Sequence, residues 1–262
     1  MWGRNLLKGN VLFNHRIAPA FFHLGIHCPE ITEKAQPGQF VMMRVGDGFD
    51  PLLRRPFSFH RIRKKEFEIL YQVVGKGTQK MALLEKGEEI DLLGPLGKGF
   101  VINKEIEKAV LVAGGIGCAP LFALGERLKG KADILTYLGA KTATGLLKVK
   151  EFKALGKVVI ATEDGSTGFR GMVTDLIEQD LPVSEPSSCL FSCGPHRMLK
   201  RVSEFSRRKG LPCQVSLEEN MGCGIGACLG CAVQVKTGQG NFDYHKVCTD
   251  GPVFESSKVV FA

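Results

Sequence analysis

The chain has 262 residues, nine cysteines, a formal net charge of +8, and 44% hydrophobic against 24% charged residues. That balance excludes a disordered chain, and the length suits two compact domains with a short appendage. Its apolar stretches fall short of the ~20 residues a membrane helix needs, Met1-Trp2-Gly3-Arg4-Asn5 opens no signal peptide, and the basic residues form no aromatic-flanked stripe; the expectation is a cytoplasmic protein with no membrane or nucleic-acid partner.

From residue 7 to about 103, short apolar runs such as 39–45, 67–74 and 89–93 are broken by Gly, Pro and charge. This spacing predicts an antiparallel Greek-key β-barrel. One helix interrupts it over 78–85 and stops at Gly87. The character changes at 108–113, a near-continuous apolar run of the kind buried on both faces. Strands at 133–138, 157–161 and 188–192 then alternate with helices at 120–129, 172–179 and 196–209. That alternation predicts a parallel nucleotide-binding α/β sheet with right-handed crossovers. From about 213 the chain turns Gly- and Cys-rich. The expected whole is an α+β multidomain chain: a barrel over 1–103, a parallel sheet over 104–212 and a small cluster subdomain over 213–262.

With no secretion signal and an odd cysteine count, a disulfide framework is disfavoured. Four cysteines lie in the last 40 residues, with four residues between Cys223 and Cys228, two between Cys228 and Cys231, and sixteen between Cys231 and Cys248. The first three match the spacing of plant-type 2Fe–2S ligands with a distant fourth. Gly222, Gly224, Gly226, Ala227 and Gly230 let a loop wrap closely and turn backbone N–H groups toward the sulfurs. The fourth ligand returns across a hairpin of 231–236 and 244–247. A structural zinc site also takes four cysteines, but more often through two Cys-x2-Cys knuckles where this chain has one. Cys28, Cys118, Cys189 and Cys213 read as small buried residues.

Two glycine loops follow predicted buried strands and open helices. They are Gly114-Gly115-Ile116-Gly117 and Ser192-Cys193-Gly194-Pro195. Both would lie at the carboxyl edge of the sheet, where a dinucleotide pyrophosphate finds N–H groups and a helix N-terminus. A structural tight turn is the bland alternative for the first. Cys193 reads as a small residue that fits there, not as a nucleophile. The acidic segment 162–168, carrying Glu163 and Asp164, disfavours a 2′-phosphate and tilts the coenzyme toward NAD; a solvated turn is the alternative.

In the barrel region, Arg55-Pro56-Phe57-Ser58 resembles the Arg-x-Tyr/Phe-Ser strand of the ferredoxin-reductase superfamily. The resemblance implies FAD, with Arg55 on the phosphates and Ser58 near the flavin N5. A guanidinium fork suits a pyrophosphate, and a hydroxyl donor at N5 tunes the flavin. Leu70-Tyr71-Gln72 resembles that superfamily's Ile-Tyr-Arg, with Gln72 departing from the Arg, and Gly77-Thr78 its second FAD loop. The segment 94–100 matches its Gly-Pro-Leu-Gly-x-Gly-Phe. The Cys193-Gly194-Pro195 loop would face the contact between nicotinamide and flavin.

Three segments are more particular: 51–58, 219–228 and 247–254, the last reading Val247-Cys248-Thr249-Asp250-Gly251-Pro252-Val253-Phe254. They resemble the electron-transfer subunit of type B dihydroorotate dehydrogenase. That family implies an FMN-containing catalytic subunit that oxidises dihydroorotate, in an assembly of two copies of each chain. Electrons leave that FMN singly, cross the 2Fe–2S cluster to FAD on this chain and end on NAD, in pyrimidine biosynthesis. The chain itself is then an oxidoreductase subunit without a catalytic side chain of its own. A small subunit of an NAD(P)H-ferredoxin oxidoreductase or sulfide dehydrogenase is the nearest alternative. A redox-sensing or zinc-stabilised module is the alternative of another class.

Overall fold

The computed structural model describes residues 6–46, 48–103, 105–181, 187–238 and 240–261. The first part is built from β1 (Leu6–Ala18), β2 (Phe21–His27), the short helix α1 (Pro29–Thr32), β3 (Phe40–Met43), β4 (Arg55–Ser58), β5 (Arg61–Ile62), β6 (Glu66–Gln72), α2 (Lys76–Met81) and β7 (Glu89–Leu96). These strands form one antiparallel sheet in the order β4-β3-β7-β1-β2-β6-β5. The segment 55–62 pairs with β3 at its start and with β6 at its end, so one continuous stretch of chain brings the two edges of the sheet together. Alternation along β6 sets its packing. Phe67, Ile69 and Tyr71 face the barrel core, while Leu70 faces the neighbouring domain.

The helix expected over 78–85 runs over Lys76–Met81. Asn14 explains the early end: its side-chain amide donates to the Met81 and Leu84 carbonyls at 2.8 and 3.2 Å. Those are groups a continuing helix would need for itself.

The second part carries β8 (Lys108–Gly114), α3 (Cys118–Leu128), β9 (Asp133–Ala140), α4 (Val149–Lys153), β10 (Lys157–Thr162), β11 (Phe169–Arg170), α5 (Val173–Asp180), β12 (Ser188–Cys193), α6 (His196–Lys209), β13 (Cys213–Ser216), the hairpin β14 (Ala232–Gly238) and β15 (Asn241–Lys246), and β16 (Val253–Glu255). The large sheet runs β11-β10-β9-β8-β12-β13-β16, parallel except for the β13–β16 pair. The apolar run of β8 is buried on both faces, with Ala109, Leu111 and Ala113 in one core and Val110 and Val112 in the other. Strand order steps one way from β8 through β9 to β10 and the other way through β12 to β13. The crevice of the sheet therefore lies between β8 and β12. The stretch 213–262 was expected to stand together as a cluster subdomain. Its two ends, β13 and β16, are strands of this sheet, so the cysteine-rich loop is anchored on both sides. None of the described helices is long and apolar enough to cross a membrane.

A charged seam joins barrel to sheet domain. The Arg61 guanidinium donates to Glu126 at 3.1 Å, Glu68 at 3.2 Å and Glu151 at 3.2 Å. Lys148 contacts Glu151 at 2.8 Å and the His23 ring at 3.0 Å, and His23 meets Glu68 at 2.7 Å. His60 is fully buried beside them, 3.7 Å from Glu151. The His60 and Lys148 side chains bring the Glu151 carboxyl down to about 2. Burial opposes the charge of Glu68, but His23 and Arg61 outweigh it and hold Glu68 below the ordinary 4.5. Burial holds His60 below the ordinary 6.5 and therefore neutral.

The signs agree. Depressed carboxylates stabilise the fold above their unfolded values and lose that contribution as pH falls through the folded ones. A histidine buried neutral also loses stability as pH falls below its unfolded value. The thermal midpoint should decline as pH drops below 6.5 through His60 and more steeply below 4.5 through Glu68 and Glu151. Calorimetry across this range should give a shallower acid limb for Glu151→Gln than for wild type. An identical limb would remove Glu151 from the seam's titration.

Candidate functional site

The flavin-type residues sit on β4, whose register against β3 pairs Met43 with Arg55, Met42 with Pro56, Val41 with Phe57 and Phe40 with Ser58. The two adjacent arginines have different fates. Arg54 is held bidentately by Asp91 at 2.7 and 3.1 Å. Arg55 donates to the Leu53 carbonyl and lies against Gly77 in the first turn of α2. A Cβ on Gly77 would stand 2.7 Å from Arg55 Nε, so only glycine lets the guanidinium lie so close to the backbone there. The Arg55 guanidinium and the opening turn of a helix are thus brought together, a combination suited to phosphate oxygens. The Thr78 hydroxyl takes part in the turn itself: it accepts from Val74 N at 2.9 Å and Gly75 N at 3.2 Å, and donates to Gly75 O at 3.0 Å.

The other barrel positions divide by the alternation of β6. Phe57 and Ser58 are half-buried. Phe57 meets Tyr71 edge-on at 6.0 Å, and Tyr71 stacks on Phe22 at 5.4 Å. The Tyr71 hydroxyl donates to Asn14 at 3.0 Å, and burial pushes it up to about 12. Tyr71 therefore shapes the barrel under Phe57, while Leu70 reaches across to the second domain and Gln72 is exposed. Asn14, which holds both Tyr71 and the end of α2, carries no motif and went unnoticed in the sequence. A lone Asn in a strand looks like any other.

The two glycine loops meet at the crevice. A Cβ on Gly117 would stand 2.3 Å from the Cys193 carbonyl oxygen, and one on Gly194 would stand 3.0 Å from Gly114 N. Backbone lies directly on backbone, with Gly114 and Gly194 both over Met198 of α6. Gly115, at φ +54, projects into open space. Burial pushes the Cys193 thiol up to about 12, which suits a packed residue and not a nucleophile. In the acidic turn, Asp164 accepts from the Ser166 hydroxyl at 2.6 Å and backbone N–H at 2.9 Å, and Ser166 in turn accepts from Ala143 N at 2.8 Å. The carboxylate is thereby fixed at the end of β10, on the same edge of the sheet as the glycine loops.

Cys223, Cys228 and Cys231 lie on the loop between β13 and the β14–β15 hairpin, and Cys248 follows the hairpin, between β15 and β16. Ile225 and Ala227 direct backbone N–H groups at Cys223 Sγ, at 3.4 and 3.3 Å. Burial opposes ionisation of Cys223, but the N–H groups of Ile225, Cys228 and Ala227 outweigh it and bring the thiol to about 6. Cys248 is the reverse case, pushed up to about 12 by burial and by Cys231 beside it. The thiols thus form two pairs. Cys223 and Cys228 are partly or fully exposed, and Cys231 and Cys248 are buried.

That pairing discriminates between the two metal readings. Four thiolates on one tetrahedral zinc lie about 3.8 Å apart, all six distances alike. Among the described residues, the one set of three or more candidate ligand atoms mutually within 4.8 Å is elsewhere, at His23, His60 and Glu68. No three of the cysteine sulfurs meet that condition. Contacts within each pair, Cys223 with Cys228 and Cys231 with Cys248, suit a two-iron cluster, which takes two thiolates on each iron. The Thr249 hydroxyl, next to Cys248, is buried and has no hydrogen-bond partner among the described residues. It is a donor of the kind a sulfide or thiolate acceptor would satisfy. Its proximity to Gly226 was not legible in the sequence.

The cluster loop lies on the flavin barrel. Gly224, at φ +70, has Met42 Cγ 2.6 Å and Leu96 Cδ1 3.4 Å from where a Cβ would stand. Met42 is the register partner of Pro56. Behind the loop, a Cβ on Gly97 would stand 2.6 Å from the Gly251 carbonyl, so the two glycine–proline segments 94–100 and 247–254 pack against each other.

Comparison with known proteins agrees with this geometry. Residues 218–260 match the iron–sulfur cluster binding domain of dihydroorotate dehydrogenase B. The chain is 39% identical over 260 residues to the electron transfer subunit of dihydroorotate dehydrogenase B (NAD(+)) from Desulforamulus reducens, covering 98% of each chain. It is 41% identical over 256 residues to that of Caldanaerobacter subterraneus subsp. tengcongensis, covering 97% of this chain and 98% of the other. Among solved structures, it is similar to an NADH-dependent reduced ferredoxin-NADP oxidoreductase studied for flavin-based electron bifurcation. There the TM-score is 0.85 at 32% identity, over 100% of this chain and 92% of that one. A ferredoxin NADP+ reductase from Neisseria gonorrhoeae with bound FAD and NADP shares the fold, with TM-score 0.67 and 20% identity over 78% of this chain and 92% of its own. Identity at the level of the first two relatives, sustained over the full length of both chains, makes this chain a member of the family of dihydroorotate dehydrogenase B electron-transfer subunits.

Proposed function

We propose that this chain is the electron-transfer subunit of an NAD-dependent dihydroorotate dehydrogenase, carrying electrons from the FMN of a catalytic subunit through 2Fe–2S and FAD to NAD in pyrimidine biosynthesis. The observation that carries the reading is the seat of the cluster loop: Gly224 rests on Met42, one strand from the flavin-type residues. FAD, when bound, supplies the exchange between electron pairs at the nicotinamide and single electrons at the cluster.

Each residue group then has a task. Arg55, backed by Gly77 and Thr78, binds the FAD pyrophosphate. Pro56, Phe57 and Ser58 border the flavin ring, with Ser58 offering a hydroxyl. Leu70, Tyr71 and Gln72 form the adjoining strand, Tyr71 by supporting Phe57 from beneath. Gly114, Gly115 and Gly117 hold the NAD pyrophosphate, and Cys193, Gly194 and Pro195 line the nicotinamide side. Cys223, Cys228, Cys231 and Cys248 ligate the cluster. Glu163 and the fixed Asp164 carboxylate favour a free ribose hydroxyl over a 2′-phosphate.

The partly exposed Cys223 and the exposed Cys228 lie in the same stretch as the exposed side chains of Ile225 and Leu229. That edge is where the catalytic subunit takes its place, in an assembly of two copies of each chain. The domains divide as a barrel over 1–103, a nucleotide sheet over 104–212 and a cluster segment over 213–262, the last hung on two strands of the sheet. A second reading, a subunit exchanging electrons with ferredoxin, is favoured by one observation: the similarity in fold and sequence to the ferredoxin-NADP oxidoreductase chain. Mixing the purified chain with a dihydroorotate-oxidising subunit separates them. The proposed function expects a stable complex in which dihydroorotate reduces NAD. No complex, with brisk NADPH-driven ferredoxin reduction by the chain alone, would favour the second reading.

Two substitutions test the assignments. Cys228→Ala should lose the cluster and electron exchange with the catalytic subunit, while anaerobic reduction of FAD by NADH survives. Loss of that reduction in a protein that still holds FAD would overturn the order of carriers. Arg55→Ala should weaken FAD retention by roughly 1.5–3 kcal/mol, the range for charge-assisted bonds, measured by equilibrium dialysis. Unchanged retention would take Arg55 out of the site.

A further inference from the structure

The seam between barrel and sheet domain holds an unusual concentration of polar groups for a domain junction. His23, His60 and Glu68 offer ligand atoms within 4.8 Å of one another, a spacing that a cation could bridge. The neighbours argue against one. The Lys148 ammonium, 3.0 Å from His23 Nδ1, can only donate to it, so the ring proton sits on Nε2 and donates to Glu68 at 2.7 Å. His23 therefore has no free lone pair to offer a metal. Glu68 is already neutralised by Arg61 at 3.2 Å.

Arg61 is the member that links the two domains most directly. It stands three residues beyond Ser58 on the segment that closes the barrel, and its side chain is 17% exposed. Its Nη1 binds Glu68 within the barrel, and its Nε and Nη2 bind Glu126 of α3 and Glu151 of α4 in the sheet domain. Its guanidinium carbon lies 4.8 Å from the ring centre of Phe122, also on α3. Phe122 in turn stacks on the buried His60 at 4.7 Å. Burial works against the charge, but the three carboxylates outweigh it and hold the guanidinium above its ordinary value. A planar fork with a donor for each carboxylate fixes direction as well as distance. Helix α3 begins immediately after Gly117. One side chain on β5 thus ties the segment that carries the flavin-type residues to the helix that opens from the nicotinamide-type loop.

We propose that Arg61 is a positioning residue that sets the alignment of nicotinamide against flavin by clamping the 55–62 segment to α3 and α4. It touches neither cofactor. It acts through Glu126, Glu151 and Phe122, and this role rests on the reading of the chain as an NAD-linked flavoprotein. Small errors of alignment are costly in transfer between two bound partners, of the order of 100-fold for about 1 Å.

The test is rapid mixing of the FAD- and cluster-loaded chain with NADH under anaerobic conditions, following flavin absorbance and the long-wavelength charge-transfer band. Arg61→Met keeps the length and apolar stem but removes the fork. The limiting rate of flavin reduction should fall about 10- to 100-fold, the charge-transfer band should weaken, and NADH affinity and FAD content should stay near wild type. Arg61→Lys, which keeps the charge without the fork, should lie between. A folded, FAD-replete Arg61→Met with wild-type limiting rate and band would overturn the proposal, even if its thermal midpoint falls. Should Arg61→Met fail to fold, Glu126→Gln weakens one Arg61 bridge together with the Arg63 pair at 3.4 Å, and Glu151→Gln weakens another together with the Lys148 pair at 2.8 Å. A reduced limiting rate in both supports the clamp, and wild-type rates in both overturn it. Failure of NADH to reduce the flavin of the wild-type chain would instead overturn the proposed function, and this inference with it.

Discussion

The arrangement depends on a close approach between the cluster loop and strand β3. At Gly224 the loop backbone comes so near Met42 that a single added carbon would stand 2.6 Å from its side chain, and the backbone there has φ +70. Both conditions call for glycine. Because β3 is hydrogen-bonded to β4, this contact places the cysteine loop one strand away from Arg55 to Ser58. The spacing between the cysteine loop and β4 is thus set by packing of backbone on side chain, not by a flexible linker.

The loop keeps that place because both of its ends are built into the sheet. β13 leads into it from the edge of β12, and β16 returns beside β13. Glycines at 97 and 251 then close the space between the end of the barrel and the segment after Cys248. Within the loop, charge is distributed unevenly. N–H groups gather on Cys223, which ionises readily, while burial keeps Cys248 protonated until a metal displaces its proton. The exposed end of the site thus carries the backbone N–H donors, and Cys231 and Cys248 at its other end are buried.

Much of this was legible in the sequence, for physical reasons that differ by element. The apolar run at 108–113 and the alternation after it identified the parallel sheet, because strands covered on both faces cannot alternate with polar residues. The spacing of Cys223, Cys228 and Cys231 pointed to a cluster-binding loop, because a wrapped loop needs fixed intervals, and residues 218–260 match an iron–sulfur cluster binding domain. Helix α6 follows its periodicity from end to end. The helix expected to run to 85 ended at Met81 because of Asn14, 67 residues away in sequence. The membership of β13 and β16 in the sheet was hidden because four- and three-residue strands carry too little pattern. Arg61, His60 and Lys148 carry no motif; only the fold shows them meeting around Glu151. Resemblance placed Arg55 in the flavin strand, and the fold separates it from Arg54 by giving Arg54 to Asp91.

The central claim is that NAD, FAD and cluster form one continuous electron path within this chain. The most direct measurement is low-temperature electron paramagnetic resonance of the chain alone, loaded with FAD and cluster and frozen after anaerobic reaction with excess NADH. The expected result is the signal of a reduced 2Fe–2S centre, appearing together with loss of flavin absorbance. A bleached flavin beside a cluster that stays silent, yet responds to dithionite, would contradict it.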